Sequence, residues 1–446
     1  MKALKCQVIQ QWTGIDRSHP SIKSLDDIVS WRVTPPFSKV GRSAWLTLKE
    51  PIVVQTTGGD IYIESIKIKG VGYLDYRGNL HQPTTNSLRK IKMHLGISEK
   101  VDFFIASGFS GPIGGIVLEK ALAEYSTART LIENGVPSSV PICVYKYDES
   151  ELCYQVGDQM VPMGVVVTGQ LQRTFTRVNS MLYYSASEDV TKIEISQFAE
   201  RMGVSLNEDP ELSLLKACYR NYGRHLPEFS KCGLYRHGAH WSNLGFSSRA
   251  GGVYFTDLDS CRELAECSEL SKPMQVMRDS LSAVLYLMVG FFTESYLLQN
   301  FSPERVIRAE IQQAFLSSYY TDIPIEYINS LVNVLNEYHL YLYKLAIEGG
   351  KLLAEKRHHI APVSTAVSTF QKDHNAGSTL WENPWLNYKE LYCWLMAVVW
   401  ALHTRSQMAT LYPFKLTEDE FYTRMSKFST PQLVEKIAKR IDRAIK

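Results

Sequence analysis

Between about residues 40 and 170 the chain runs in short stretches where apolar and polar residues alternate, each closed by turn-forming residues. "SAWLTLKEPIVV" gives way to "TGGD" and then "IYIESIKIKG"; later come "VPICVYKYDE" and "MVPMGVVVTG". A period of two puts successive side chains on opposite faces, so each run predicts a strand. One segment breaks that rhythm. In "IVLEKALAEYSTARTLIENG" the residues Val117, Leu118, Ala121, Leu122, Tyr125 and Ala128 fall roughly on one helical face, and Asn134-Gly135 supplies a stop. The front of the chain therefore predicts a small sheet crossed by one main helix.

After about residue 190 strand character fades except at "GGVYFTD", and from 261 onward helical periodicity dominates. "SLSAVLYLMVGFFTESYLLQ", "PERVIRAEIQQAFLSSYY", "IEYINSLVNVLNEYHLYLYKLAIEGGKLLAE", "YKELYCWLMAVVWALHTR" and "TPQLVEKIAKRIDRAI" each predict a helix. A β-rich front and a helical rear predict a bilobal α+β architecture. Its expected divisions are an N-terminal extension 1–40, a β-rich N-lobe 41–168 and a mostly helical C-lobe 169–446, the last with a site segment at 235–261 and a helical extension at 262–446. The stretch 358–386 has no clear period and reads as a long loop.

Composition narrows the class. The 446 residues carry 48 Lys and Arg against 46 Asp and Glu, so no global field favours nucleic acid or a membrane surface, and a charged substrate has to be met locally. The eight cysteines are dispersed without Cys-x-x-Cys or zinc-ligand spacing, which points to a reducing, cytoplasmic setting. The start "MKALKCQVIQQWTGID" lacks the apolar core of a signal peptide, and the longest apolar run, 283–292, is about half a membrane span, so a buried helix is expected there.

Five features bear on chemistry. Lys69 ends an alternating strand in a Lys-Gly-x-Gly turn with Gly70 and Gly72, the setting of a lysine aimed at phosphates over permissive backbone. Glu124, on the one strong helix, can orient such a lysine, with Glu119 as competitor. The glycine-rich "SGFSGPIGG", including Gly114 and Gly115, precedes that helix and suits an anion at a helix start. In "HGAHWSNLGFSSRAGGVYFTDLDSC", Asn243 and Asp257 flank a predicted hairpin and offer hard oxygen donors for Mg²⁺, with Asp259, expected on the same side of a strand, as the alternative ligand. Alone, each is ordinary: a strand-end lysine is commonly a solvated charge. A strand lysine, a helical glutamate, then an Asn and an Asp around a hairpin is nonetheless the linear order of a kinase-like nucleotide site. Arg173 and Arg177 in "TGQLQRTFTRVNSML" are candidates to stabilise the transferring phosphates.

These motifs resemble the selenoprotein O family of pseudokinases. "GRSAWLTLKEPI" and "IKIKGVGYLDY" are similar to that family's lysine-bearing pair of segments, "AEYSTARTLIENGVPSS" matches its glutamate helix with Glu124 rather than Glu119 in register, and "HGAHWSN" with "FTDLD" is similar to its metal-binding segment. The similarity covers about 41–140 and 235–260. About thirty extra residues separate Lys69 from Glu124, "GPIGGIVL" replaces an arginine-containing segment, Ser242 stands where the family has an Asp, and the C-terminus lacks the Cys or selenocysteine motif. The resemblance implies a kinase-like fold binding ATP in a flipped orientation with Mg²⁺, or Mn²⁺ in its place, and transferring AMP to a protein hydroxyl. It implies Lys69 on phosphates, Glu124 orienting it, and Asn243 with Asp257 on metal. His240 or His237 would serve as base, since imidazole titrates in the right range. Phosphate transfer to a protein or small molecule, and an inactive ATP-binding scaffold, are the alternatives.

Overall fold

A computed structural model describes the chain except residues 1, 17, 40, 57–58, 76, 237–242, 298–308 and 338–381; at 87–94, 106–110, 182–183, 186, 285–297 and 382–388 it describes the backbone alone. The architecture is α+β and two-lobed. Five main strands form an antiparallel sheet in which Cys6–Gln11 pairs with Val140–Tyr147, then Gln159–Gln170, then Gly59–Leu74, then Gly41–Thr56. Within Gly59–Leu74, Ile66 and Ile68 are fully buried in the apolar layer of this lobe. Lys67 and Lys69 alternate with them and so share the opposite face.

The predicted helix spans Leu118–Glu133 and buries Ala121, Glu124, Tyr125, Ala128 and Leu131. Its end has a specific cause. Gly135 takes φ +72°, Val136 N–H donates to the Leu131 carbonyl at 2.9 Å and Gly135 N–H to that of Ile132 at 3.1 Å, closing the helix in a Schellman motif. Val117, expected within the helix, instead caps it from a short strand, Ile116–Val117.

Residues 1–40 are built into this lobe and do not stand apart as an extension. Cys6–Gln11 forms an edge of the sheet, Ile22, Leu25, Ile28 and Val29 join its core, and Trp31 Nε1 donates to the Val71 carbonyl at 2.6 Å.

The rear lobe is helical, with Asp189–Arg201, Pro210–Lys231, Lys272–Leu297, Ala309–Tyr319, 325–337, Glu382–His403, Glu418–Phe428 and Pro431–Ile445. Asp209 starts the second of these by accepting from Leu212 N–H at 3.2 Å, ahead of Pro210. The apolar run 283–292 lies inside Lys272–Leu297, and among the described residues no helix is long and apolar enough to cross a membrane. Of the expected loop 358–386, residues 382–386 belong to a helix and the rest lie outside the described residues.

The extra segment between Lys69 and Glu124 is a long antiparallel hairpin, Ser87–Ile97 with Phe103–Pro112, so "SGFSGP" is strand and not loop. Its tip leaves the front lobe. Leu95, Ile97, Val101 and Phe103 belong to the rear-lobe core, and Phe103 packs edge-on against Phe421 and Phe428 at 6.0 and 6.3 Å. Glu99 accepts from Ser268 N–H and Ser271 Oγ–H at 2.6 and 2.7 Å, and Gln275 Nε2 donates to the Ile97 carbonyl at 3.1 Å. The hairpin therefore straps one lobe to the other.

Candidate active site

Lys69 stands on a strand paired on both sides, opposite Ser43 and Val166. Its ammonium, 2% exposed, meets Glu124 Oε2 at 2.7 Å and Asp259 Oδ2 at 3.0 Å, and also bonds Asp257 Oδ1. Glu119, in the first turn of the same helix, is not part of this cluster among the described contacts. Burial alone would lower the Lys69 pKa, but Asp257, Asp259 and Glu124 outweigh it and hold the ammonium above its ordinary value.

Both aspartates follow the hairpin Leu244–Ser247/Gly252–Phe255. The expectation that "FTDLD" continues as strand fails, because Asp257 turns the chain with φ +58°. Asp and Asn tolerate that region better than other L-residues. The turn brings Asp257 and Asp259 to one ammonium, so the two expected alternatives sit together. Burial pushes both carboxyls up, yet Lys69 above all, then Lys67 and Arg42 at Asp257, holds Asp257 well below the usual range; Lys69 and Arg42 do the same to a lesser degree for Asp259. Asn243 stands just before the hairpin, and its carbonyl accepts from Thr256 N–H at 3.1 Å, beside Asp257. His237 and His240 lie outside the described residues.

Three site residues escaped the sequence reading. Lys67, 3% exposed, reaches Asp257 Oδ1 at 3.2 Å and Glu124 Oε1 at 3.5 Å; its signal was the two-residue spacing from Lys69 in "KIK". Arg42 holds Asp259 at 3.2 Å and donates to the Gly115 carbonyl at 3.4 Å; it lies in the segment that resembles the family. Asp279, fully buried, accepts from Arg236 N–H at 2.7 Å and so fixes the strand that leads into 237–242. Burial pushes its carboxyl up to about 7, against the pull of Arg278 and Arg236.

The glycines have packing causes. A Cβ at Gly70 would stand 2.4 Å from Ile116 Cγ2, and one at Gly72 would stand 2.3 Å from the His81 carbonyl oxygen, both at positive φ. Gly114 meets Tyr73 and the Gly72 backbone, and Gly115 meets Met163. These contacts explain the glycines by close approach of protein to protein.

Arg173 and Arg177 lie on the segment joining the lobes. Arg173, half exposed, stands 3.8 Å from Glu64 and its carbonyl accepts from Trp45 Nε1 at 2.8 Å. Arg177 is buried over the rings of Trp45 and Phe175, 5.7 and 5.1 Å from their centroids, with Nη1 lacking a hydrogen-bond partner. Alongside, Gln170 and Gln172 accept from Tyr254 Oη–H at 3.2 and 3.3 Å and Gln172 from Phe246 N–H at 3.0 Å, tying this segment to the aspartate hairpin.

The cluster fits a divalent metal. Carboxylate oxygens of Glu124, Asp257 and Asp259 lie within 4.8 Å of one another, and Glu124 Oε1 is buried without a hydrogen bond. Such hard donors suit Mg²⁺ or Mn²⁺ rather than a soft ion. A buried strand lysine paired to a helical glutamate beneath an antiparallel sheet, with aspartates rising from the second lobe, makes this bilobal α+β fold kinase-like.

No family model matches the chain, and no curated protein matches it. Among solved structures the chain is similar to one described as "WaaP in complex with acyl carrier protein", at 12% sequence identity and a TM-score of 0.30, over 66% of this chain and 90% of that one.

Proposed function

We propose that the chain is an ATP- and Mg²⁺-dependent transferase that moves AMP from ATP to a protein hydroxyl. The observation carrying this reading is the buried Lys69–Glu124 pair at 2.7 Å with Asp257 and Asp259 on the same ammonium. Lys69 binds phosphate, Glu124 holds Lys69 in place, and Asp257 and Asp259, with Asn243 beside them, hold the metal. When bound, Mg²⁺ would supply positive charge to offset that of the phosphates. His240, or His237, is the candidate base. The eight free cysteines agree with a cytoplasmic setting.

What favours the α-phosphorus is the distribution of charge along the cleft. Lys67 pairs with Thr168 and Lys69 with Val166, so Lys67 is nearer the segment that joins the lobes. Buried Arg177 acts on Lys67 from that segment. The carbonyls of Gln172 and Arg173 already accept from Ser65, Trp45 and Thr47, at 2.5, 2.8 and 3.1 Å. Cations and occupied carbonyls at this end suit phosphates better than a purine edge, and a triphosphate that enters first leaves its α-phosphorus outermost. In the transfer, the acceptor oxygen bonds to the α-phosphorus, the bond from α-phosphorus to pyrophosphate breaks, and the hydroxyl proton passes to the base.

The test is chromatography of nucleotide products after incubation with ATP and Mg²⁺, together with mass spectrometry of the protein. Pyrophosphate release with an AMP adduct supports the proposal. ADP release with a phosphate adduct assigns a phosphotransferase to the same residues, and nucleotide binding without either product leaves an ATP-binding scaffold.

A further inference from the structure

The charges at the cleft close on themselves. Lys67, Lys69 and Arg42 contribute three positive charges, and Glu124, Asp257 and Asp259 three negative ones, all joined by contacts of 3.5 Å or less. Asp257 Oδ1 is held by both ammonium groups, so a carboxylate oxygen of the candidate metal cluster already has cations on it. Around this neutral core Arg177 and Lys120 lie within electrostatic reach, which makes the rim cationic. A lone divalent cation would add two positive charges to a balanced core and face that rim. A lone polyphosphate would have to compete with the carboxylates for the same ammonium groups.

Resting on the reading above, we infer that Lys67 is a resident counter-cation: it fills the gap between Glu124 and Asp257 in the free protein, so that a divalent metal enters only together with the polyphosphate, to which Lys67 then transfers. Lys69 cannot serve alone in this role, because Glu124 and Asp259 hold it from two further sides. Lys67 has fewer ties: it lies two residues along the same strand face, and among the described contacts Glu124 and Asp257 alone hold it.

The experiment measures Mn²⁺ binding by electron paramagnetic resonance, with and without a non-hydrolysable ATP analogue, in the full chain and in Lys67→Met and Lys67→Arg. Wild type and Lys67→Arg are expected to bind Mn²⁺ well only with the analogue. Lys67→Met, whose core carries one net negative charge, is expected to bind Mn²⁺ alone at least about tenfold more tightly than wild type, equivalent to about 1.4 kcal/mol. If Lys67→Met binds Mn²⁺ alone no better than wild type while both bind Mn²⁺ with the analogue, the inference fails and the functional reading stands. If wild type binds Mn²⁺ as tightly without the analogue as with it, the inference fails on the natural protein, whatever the variant does. If neither protein binds Mn²⁺ with the analogue, the functional reading fails and takes the inference with it.

Discussion

Replacing Glu124 by Gln keeps the size of the side chain and removes one charge from the centre of the site. At 2.7 Å the attraction between Lys69 and Glu124 is about 6 kcal/mol gross at an effective dielectric constant of about 20. Two effects reduce the loss. The Gln amide escapes the cost of burying a carboxylate at full burial, and the ammonium keeps Asp257 and Asp259. A net destabilisation of about 1–3 kcal/mol follows, below the range of about 3–5 for a buried ion left wholly unpaired. The functional effect has a direction of its own. Without Glu124, Lys69 settles onto the two aspartates and competes with metal there. The affinity for Mn²⁺ in the presence of an ATP analogue should then fall about ten- to a hundredfold, on the scale of about 1.4 kcal/mol per decade. Denaturant unfolding measures the first quantity and calorimetric Mn²⁺ titration the second, with Glu119→Gln as the control expected to change neither. Metal affinity within twofold of wild type in a folded Glu124→Gln protein would refute the reasoning.

Asp257→Ala should abolish transfer while the protein still folds; product chromatography showing wild-type turnover would remove Asp257 from the metal site. Because the folded pKa of Asp257 is depressed, its charge stabilises the fold above about pH 4, the unfolded value, and that contribution disappears as pH falls through the folded one. Acid unfolding of Asp257→Asn should therefore be less steep than that of wild type below pH 4. His403 is fully buried and burial lowers its pKa to about 3, so it stays neutral in the fold while the unfolded chain takes up a proton. Below about pH 6.5 it costs about 1.4 kcal/mol of stability per pH unit, and the stability of His403→Phe measured between pH 6 and 4 should be flatter by that slope. Phe103→Ala should destabilise the protein by about 3 kcal/mol, at the low end for a buried phenylalanine, and unfolding curves within 1 kcal/mol of wild type would show that the hairpin tip does not anchor to the rear lobe.

The parts of this molecule that sequence made legible are those whose neighbours are local. Alternation set Lys69 on a strand, helical spacing set Glu124 on the one strong helix, and Asn134-Gly135 marked the helix end, because each depends on residues a few positions away. Lys67 obeys the same rule, but only the tertiary fold reveals that both lysines find carboxylates in place of water. Arg42 and Asp279 act across about 217 and 43 positions of chain on Asp259 and Arg236, distances at which no periodicity speaks. The hairpin 87–112 was missed for a different reason. Its apolar residues Leu95, Ile97, Val101 and Phe103 serve the core of the other lobe, so they read as unexplained hydrophobicity in the lobe to which the sequence assigns them. The first forty residues were set apart because their strand finds its partner near position 145.

That hairpin also constrains how the protein can move. A body hung from one connection can swing in any direction, whereas a second connection at a distance leaves rotation only about the line through both. Here the lobes join at the chain 171–177, stiffened by Gln170, Gln172 and Tyr254, at the docked tip around Glu99 and Phe103, and at a backbone bridge where Phe255 N–H donates to the Pro137 carbonyl at 2.9 Å and Ser139 N–H to the Phe255 carbonyl at 2.8 Å. The third of these joins lies next to Asp257, so the lobes are tied together beside the lysine–carboxylate cluster itself. Loosening the tip would leave that join in place and remove no group from the site.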